Sequence, residues 1–293
     1  MGEGAGETMA EVIPLESVPL IERAHVREGT FRSRRILNGQ PGTPENFSLQ
    51  LGDTPTYYSP RHRHNFDQVR FQLEGDFDFS SDGVMKEGSV AYFPEGTHYG
   101  PQKSDTHSAT LVLQFGGASG SGYIAPEQYE RASAELAKSG TFAKGVYTRI
   151  ARQDGGEKKI NKDAYEAVWE QVNGRPLVYP AERYLHPVFM DPAHFDWVPV
   201  AGQPGVSWKL LGEFSERRTR IAFWRIDAGA SLSLADHSIY FVTRGAGQVD
   251  SGDGAQPRPF GARATIHLAA GEVARACVSE ECDLLHIGLP RFS

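Results

Sequence analysis

Two histidines near residue 60 are the residues best placed to carry chemistry. His62 and His64 are separated by one residue, within a stretch that reads PRHRHNFDQVRFQLEG from Pro60 to Gly75. Alternate residues of a β-strand point to the same face, so the two imidazoles are expected to lie side by side. Imidazole pairs suit first-row transition metals. The spacing therefore predicts a metal site.

A third histidine follows a turn farther along the chain. Residues 88–102 read GSVAYFPEGTHYGPQ, which indicates a strand, a Pro-x-Gly turn and then His98. Such a turn can direct the next residues back towards a neighbouring strand. We therefore predict that His62, His64 and His98 bind one divalent metal ion together.

The strand after the histidine pair carries polar side chains on one face. Counted in twos from His64, the residues on this face are Phe66, Gln68, Arg70 and Gln72. A dry core excludes so many polar groups, so this face is expected to line a small-molecule cavity. An inward arginine is costly unless it meets an anion, so Arg70 is predicted to bind an anionic substrate or, alternatively, to pair with Asp78. Further predicted pocket residues are Tyr92 and Gln114.

Turn chemistry indicates the fold class. The 293 residues include 32 Gly and 18 Pro, and short apolar runs alternate with turns such as Ser81-Asp82-Gly83. This rhythm is typical of β-sandwiches and barrels. Helical spacing appears in two segments, Pro126–Lys138 and Asn161–Val172, the second with Asn161 as a plausible cap. Strands are predicted to resume at Trp208–Leu211, Thr219–Ile226, Ile239–Thr243, Ala264–Leu268 and Leu284–Ile287.

The two β-rich parts resemble each other, which indicates an internal repeat. Phe71–Gly75 reads FQLEG, and Phe241–Gly245 reads FVTRG. A repeat of a barrel domain explains this similarity. The predicted organisation is an N-terminal extension over 1–45, a metal-binding barrel over 46–122, a helical connector over 123–196 and a second barrel over 197–293.

The histidine-containing segments resemble the cupin superfamily. Its first motif is HxH, three or four residues, Glu, six residues and Gly, and here it reads His62, His64, Gln68 and Gly75. Its second motif is Gly, five residues, Pro-x-Gly, two residues and His. Here that motif runs from Gly88 to His98, with the last spacer one residue shorter. The resemblance implies an all-β fold with two double-stranded β-helix, or jelly-roll, barrels in tandem and a helical connector.

The resemblance also implies a metal chemistry. Gln68 stands where the family has a glutamate, and it either ligates the metal or hydrogen-bonds a bound water or substrate. Asp67 is a rival acidic ligand but faces outward unless a bulge intervenes. With three histidines the site is similar to that of the three-histidine cupin dioxygenases, which implies Fe(II) and O₂, with Zn, Mn or Ni as other candidate metals.

The function predicted on this basis is that of a non-haem Fe(II) dioxygenase acting on a small, anionic, oxygenated organic substrate. Gln68 and Arg70 are its predicted catalytic residues. The alternatives are a redox-neutral isomerase, lyase or decarboxylase that uses Zn, Mn or Ni, and a sensor that only binds a ligand.

The second barrel and the overall composition predict no further chemistry. Counting from Gly245 places Leu232, Leu234 and Ser238 at the metal positions, so this barrel is expected to serve packing or homodimerisation. The net charge of −7 gives no reason for nucleic acid or membrane binding. Cys277 and Cys282 form no CxxC pair, and no signal segment is recognisable, so a cytoplasmic protein is expected.

Overall fold

Antiparallel β-strands dominate the chain. The computed structural model describes residues 10–24, 30–43, 45–120, 122–153, 156–252 and 254–292. Its first strands are β1 (Glu11–Pro14), β2 (Ile21–Ala24), β3 (Thr30–Asn38), β4 (Phe47–Thr54), β5 (Tyr57–Ser59), β6 (Asp67–Glu74), β7 (Phe77–Asp78), β8 (Val84–Met85), β9 (Val90–Phe93), β10 (Gln102–Ser104) and β11 (Ser108–Phe115).

The middle of the chain contains both α-helices of the described residues. Its elements are α1 (Pro126–Ala137), β12 (Gly140–Ala143), β13 (Val146–Gln153), β14 (Gly156–Asp163), α2 (Ala164–Asn173) and β15 (Val188–Met190). The remaining strands are β16 (Val198–Pro199), β17 (Val206–Phe214), β18 (Thr219–Ile226), β19 (Ser231–Leu234), β20 (Ser238–Arg244), β21 (Gly247–Asp250), β22 (Arg258–Phe260), β23 (Ala264–Leu268), β24 (Ala274–Val278) and β25 (Cys282–Gly288).

Leu20–Asp191 form one compact unit. It holds a seven-stranded sheet in the order β15-β9-β6-β11-β4-β3-β2 and a four-stranded sheet in the order β5-β10-β7-β8. At the centre of the larger sheet, β6 pairs with β9 on one side and β11 on the other. This placement puts the polar face of β6 inside the first barrel, between neighbours that also contribute side chains.

The second unit repeats this arrangement. It comprises the described residues of Met1–Pro19 together with Pro192–Ser293. Its sheets have the orders β1-β23-β20-β25-β18-β17-β16 and β19-β24-β21-β22, again with seven and four strands. The position of β6 is taken by β20, and that of β11 by β25. The predicted all-β fold with two jelly-roll barrels and an internal repeat is confirmed.

The unit boundaries differ from the sequence-based ones. Residues 1–45 do not form a separate extension, because β1 pairs with β23 in the second unit while β2 and β3 extend the sheet of the first. Residues 1–9 and 25–29 lie outside the described residues. The predicted connector joins the first unit as far as Asp191, and β15 adds a strand beside β9.

Both predicted helices form, with a shift in the second. Helix α2 begins at Ala164, and the Asp163 side chain caps it by accepting hydrogen bonds from the backbone N–H of Tyr165 and Glu166. Asn161 is not the cap because it pairs with Thr148 in the β13–β14 ladder. The three-stranded sheet β12-β13-β14 was not predicted. None of the helices described is long and apolar enough to span a membrane.

Candidate functional site

The first barrel encloses a cavity of about 320 Å³. The residues of the predicted polar face that line it are His62, His64, Phe66, Arg70 and Gln72. Volumes of this size are typical of small-molecule sites. The interpretation of this face as the lining of a cavity agrees with the structure.

His98 does not join the other two histidines. His62 and Tyr99 form an antiparallel bridge in which each backbone N–H donates to the carbonyl of the other, at 3.1 and 2.9 Å. Residues paired in this way project to one face and their chain neighbours to the other, so Tyr99 points inward and His98 outward. The side chain of His98 is 44% exposed, and its Nδ1 lies 2.9 Å from Glu182. The predicted three-histidine set is therefore corrected to two histidines and a tyrosine.

The two remaining histidines lie together as predicted. Their ring centroids are 5.0 Å apart, with the rings edge to face. Nδ1 of His62 lies 2.6 Å from the carbonyl oxygen of Pro60, which can only accept, so Nδ1 carries the proton. Nε2 of His62 then presents a lone pair, and it lies 3.1 Å from the hydroxyl of Tyr99.

Arg70, Gln68 and Tyr99 form one hydrogen-bond network. Nε2 of Gln68 donates to the Tyr99 hydroxyl at 2.9 Å, and the Gln68 carbonyl oxygen accepts from Arg70 Nε at 3.2 Å and Nη2 at 2.9 Å. Arg70 Nη2 also donates to Tyr99 at 3.3 Å, and Nη1 donates to Gln102 at 2.8 Å. Gln68 is fully buried behind these side chains and does not line the cavity.

The partners of Arg70 are all neutral. Among the described residues no carboxylate lies within ion-pair distance of its guanidinium, and Asp78 instead approaches Lys103 at 3.8 Å. The guanidinium lies 4.4 Å from the centroid of the Phe93 ring. An arginine on a cavity wall with only amide, hydroxyl and aromatic neighbours keeps an uncompensated positive charge.

Two of the other predicted pocket residues line the cavity and one does not. Gln72 and Gln114 line it, and Thr110 donates to Gln72 at 2.8 Å. Tyr92 lies opposite Val69 in the β6–β9 register, so it faces away from the barrel interior. Its hydroxyl donates to Asp67 at 2.7 Å. The prediction for Tyr92 is therefore wrong.

Asp67 also lies outside the barrel interior, as its position in the strand requires. It accepts hydrogen bonds from Tyr92 and from the Glu95 backbone N–H at 2.8 Å. Burial raises the pKa of its carboxyl to about 7, although both hydrogen bonds act in the opposite direction. The register irregularity between β6 and β11 lies near Gln72 and Glu74, far from Asp67, so this carboxyl keeps its outward direction and is not a ligand candidate in this structure.

Aromatic side chains close the cavity on the side of the helices. They are Phe66, Tyr123, Tyr129 and Tyr165, with Ile124 and Pro126 between them. His64 stacks on Phe66 at 4.5 Å and meets Tyr165 edge to face at 4.9 Å. No motif in the connector indicated that it lines the cavity. The position of Tyr99, in contrast, could have been found from the sequence. When the second cupin motif is counted from Gly88 with its full two-residue spacer, its last residue is number 99.

The second barrel has an apolar interior at the corresponding place. Leu232 and Leu234, the predicted equivalents of the histidine positions, belong to its buried core cluster. His286 is buried elsewhere in this unit and accepts a hydrogen bond from Trp224 at 3.2 Å. The two positions that correspond to His62 and His64 therefore hold apolar core side chains.

Comparison with solved structures identifies the fold. A "putative glyoxylate induced protein" from Pseudomonas aeruginosa aligns over 100% of this chain and 93% of its own, with 12% identity and a TM-score of 0.59. A "putative dioxygenase" from Nostoc punctiforme aligns over 97% and 85%, with 9% identity and a TM-score of 0.58. The oxalate decarboxylase of Lactobacillus farciminis aligns over 99% and 89%, with 11% identity and a TM-score of 0.53. The chain has the bicupin fold.

The chain matches no protein-family model, and no curated protein matches it in sequence. The site must therefore be interpreted from its own residues. In the first barrel these residues are a histidine pair, a tyrosine at the final position of the second motif and an arginine with neutral partners.

Proposed function

We propose that the first barrel of this bicupin is an enzyme site for a small organic anion, which binds at Arg70. The observation that carries the proposal is the set of neutral partners around a guanidinium that faces a cavity. Burying a guanidinium without a negatively charged partner is costly. A ligand that supplies the negative charge therefore binds favourably here.

One donor of Arg70 remains for that ligand. A guanidinium has five N–H groups, and the contacts to Gln68, Gln102 and Tyr99 use four of them. The fifth, on Nη1, has no acceptor among the described residues. A carboxylate oxygen of the ligand would accept it and gain the attraction of the full charge.

The neighbouring His62 and Tyr99 supply acid–base chemistry. Because His62 Nε2 is the acceptor, the Tyr99 proton points towards it, and the phenol oxygen faces donors on Gln68 and Arg70. Those two donors stabilise a phenolate if the proton moves to His62. Tyr99 can then exchange a proton with an anion held beside it, which supports a reaction with a general acid–base step.

The predicted three-histidine metal centre does not fit the site. Within the part of the chain that the structure describes, no three or more His, Cys, Asp or Glu side chains are grouped to hold one ion. The nitrogen ligands of the predicted set reduce to His62 and His64, because His98 is bonded to Glu182, so a metal ion here would need oxygen donors such as Tyr99 or Gln68 as well. The acid–base steps proposed above are those of His62 and Tyr99.

A metal-dependent oxygenase or redox-neutral metalloenzyme is the second candidate. It is favoured by the histidine pair with centroids 5.0 Å apart, and by solved structures of this fold that are named as a dioxygenase and an oxalate decarboxylase. Metal analysis of protein purified without added metal tests it, with His64→Ala and His98→Ala as the informative pair. Stoichiometric metal lost only in His64→Ala supports this candidate. Iron with O₂ consumption then identifies an oxygenase, and zinc or manganese with anaerobic turnover identifies the redox-neutral enzyme.

Calorimetric titration tests the anion site directly. The probes are acetate, pyruvate, oxalate and benzoate, added to the wild type, to Arg70→Met and to the control Arg63→Met, whose guanidinium lies over Tyr179 and does not line the cavity. We expect at least one carboxylate to bind, with a loss of tenfold or more in Arg70→Met alone. If no carboxylate binds, or if Arg70→Met binds as well as the wild type, the proposal is wrong. Binding without turnover of any bound carboxylate would support a sensor instead.

A further inference from the structure

The cavity has two chemically different ends. At one end Arg70 donates to Gln68, Gln102 and the Tyr99 hydroxyl, and the ring of Phe79, which also lines the cavity, lies 5.5 Å from its guanidinium. At the other end, beyond His64, the wall is aromatic and is formed largely by the segment that carries α1 and α2. A ligand that spans the cavity therefore meets a cation at one end and ring faces and edges at the other.

The aromatic end carries no net charge of its own. Tyr165 donates its hydroxyl hydrogen to Asn65 at 2.6 Å, and burial raises the pKa of Tyr123 and Tyr165 well above that of a free phenol. Both rings therefore stay neutral at physiological pH. Their edges and faces are suited to contacts with another ring, because offset and edge-to-face arrangements are favourable between aromatic groups.

A second arginine lines the cavity, but its charge is already balanced. Arg35, on β3, pairs with Glu130 of α1, which also lines the cavity, and lies 3.9 Å from Glu127. Apart from the histidines, Arg70 is thus the cation of the cavity that has no carboxylate partner among the described residues. One uncompensated positive charge matches one negative charge on the ligand.

The cavity volume admits a ligand larger than a two-carbon acid. Its 320 Å³ lies within the range of about 300–1,000 Å³ that is typical of sites for small organic ligands. A two-carbon acid such as oxalate would fill a small part of it and would leave the aromatic wall without contacts. A six-membered ring that carries one carboxylate uses both ends of the cavity.

From these observations we infer that the first barrel takes a monoanionic aromatic carboxylic acid, with its carboxylate at Arg70 and its ring against the aromatic wall. This inference rests on the proposed anion site and adds the ligand class. It also assigns a specificity role to the connector, because Tyr129 and Tyr165 come from α1 and α2. Tyr129 is a positioning residue for the ring and takes no part in proton transfer.

Four small probes separate the elements of this inference. They are benzoate, hexanoate as an aliphatic monoanion, phthalate as an aromatic dianion, and benzamide as the uncharged analogue. We expect benzoate to bind most tightly, benzamide to bind at least tenfold more weakly, and hexanoate and phthalate to bind about fivefold more weakly. The measurement is calorimetric titration of the full chain at neutral pH.

A matched pair of variants on one helix tests the aromatic wall. Tyr129→Leu removes the ring but keeps an apolar side chain, whereas Leu136→Ala changes a residue that packs in the same cluster and does not line the cavity. We expect Tyr129→Leu to weaken benzoate about fivefold and to leave hexanoate unchanged. We expect Leu136→Ala to change neither affinity. Thermal unfolding of both variants confirms that they are folded.

The outcomes distinguish this inference from the proposed function. Equal binding of hexanoate and benzoate, with no effect of Tyr129→Leu, overturns the aromatic class while the anion site at Arg70 stands. Phthalate binding as tightly as benzoate overturns the single-charge argument. If none of the carboxylates binds the wild type, or if Arg70→Met binds them equally well, the proposed function itself fails.

Discussion

The hydroxyl of Tyr99 lies 3.1 Å from Nε2 of His62, at the place where a third histidine was expected. The backbones of the same two residues exchange both hydrogen bonds of an antiparallel bridge, which fixes the two side chains on one face. The relationship is therefore a consequence of register. It turns His98 outward and makes a phenol the neighbour of the histidine pair.

A first prediction follows from this register. Tyr99→His adds a third imidazole beside His62 and His64 and is expected to raise the affinity for Zn(II) at least tenfold over the wild type, because three protein ligands complete a tetrahedral site with one water. Competition against a chromophoric chelator measures the change. The control is His98→Ala, which should leave the affinity for Zn(II) unchanged because the His98 side chain is bonded to Glu182 on the surface. If the wild type already binds Zn(II) as tightly as Tyr99→His does, the placement of Tyr99 and not His98 beside the histidine pair is wrong.

A second prediction concerns the charge of Arg70. Gln102→Glu conserves the shape of the side chain and places a carboxylate where the amide oxygen now accepts from Nη1 at 2.8 Å. The new carboxylate would balance the positive charge of Arg70. The affinity for benzoate should therefore fall by tenfold or more, which corresponds to about 1.4 kcal/mol of binding free energy. Titration of the two proteins measures the change. Gln114→Glu, which also introduces a carboxylate into the cavity wall but has no contact to Arg70, should cause a smaller loss.

Regular periodicity explains why most of the fold could be predicted. Strands such as β18 and β23 form over the same residues as predicted, because they combine dense apolar residues with clear turn signals at each end. The sheet β12-β13-β14 was missed because the described side chains of β13 form no regular apolar face, although Tyr147 is buried. Val146 and Ile150 are 38% and 62% exposed there, so neither marks the strand by its position in a core.

The candidate site was predictable where one strand determines it and unpredictable where several do. Counting in twos along β6 placed Gln68, Arg70 and Gln72 on one face, because that relation is local. The inward position of Tyr99 depends on how the segment after β9 pairs with the segment before β6. A shift of one residue in that pairing decides whether residue 98 or residue 99 faces the cavity. The aromatic wall depended on the packing of α1 and α2, which no short motif encodes.

A third prediction comes from the raised pKa of Asp67. The folded protein holds this carboxyl with a pKa of about 7, whereas an exposed aspartate titrates near 4. Between about pH 4 and 7 the folded state therefore binds a proton that the unfolded state has lost. The free energy of unfolding should fall as the pH rises through this interval and stay level above it.

Asp67→Asn should remove that slope, because the amide is uncharged at every pH. Urea unfolding of the wild type and the variant at several pH values between 4 and 8 measures the difference. The control is Asp105→Asn, which changes a carboxylate that is 83% exposed and should leave the slope as it is. Parallel pH curves for the wild type and Asp67→Asn would show that Asp67 ionises normally.

A fourth prediction concerns the acid stability of the second unit, where His286 is enclosed. Its Nδ1 accepts from Trp224 at 3.2 Å, its Nε2 lies 3.0 Å from the Ser238 hydroxyl, and its ring stacks on Tyr240 at 4.5 Å. Burial lowers the pKa of His286 to about 3, with Arg220 acting in the same direction. Since the unfolded chain binds a proton near pH 6.5, the stability of this unit is lost as the pH falls below that value.

His286→Gln should flatten this acid slope and lower the stability at neutral pH by roughly 1–3 kcal/mol, because Trp224 and Ser238 lose well-placed partners. Tryptophan fluorescence measures the unfolding, since the Trp224 indole N–H is bonded to the imidazole. His194→Gln, at an exposed position of the same unit, should retain the wild-type slope. A slope that persists in His286→Gln would mean that other groups take up the protons, and the neutral enclosed imidazole would no longer explain the acid sensitivity.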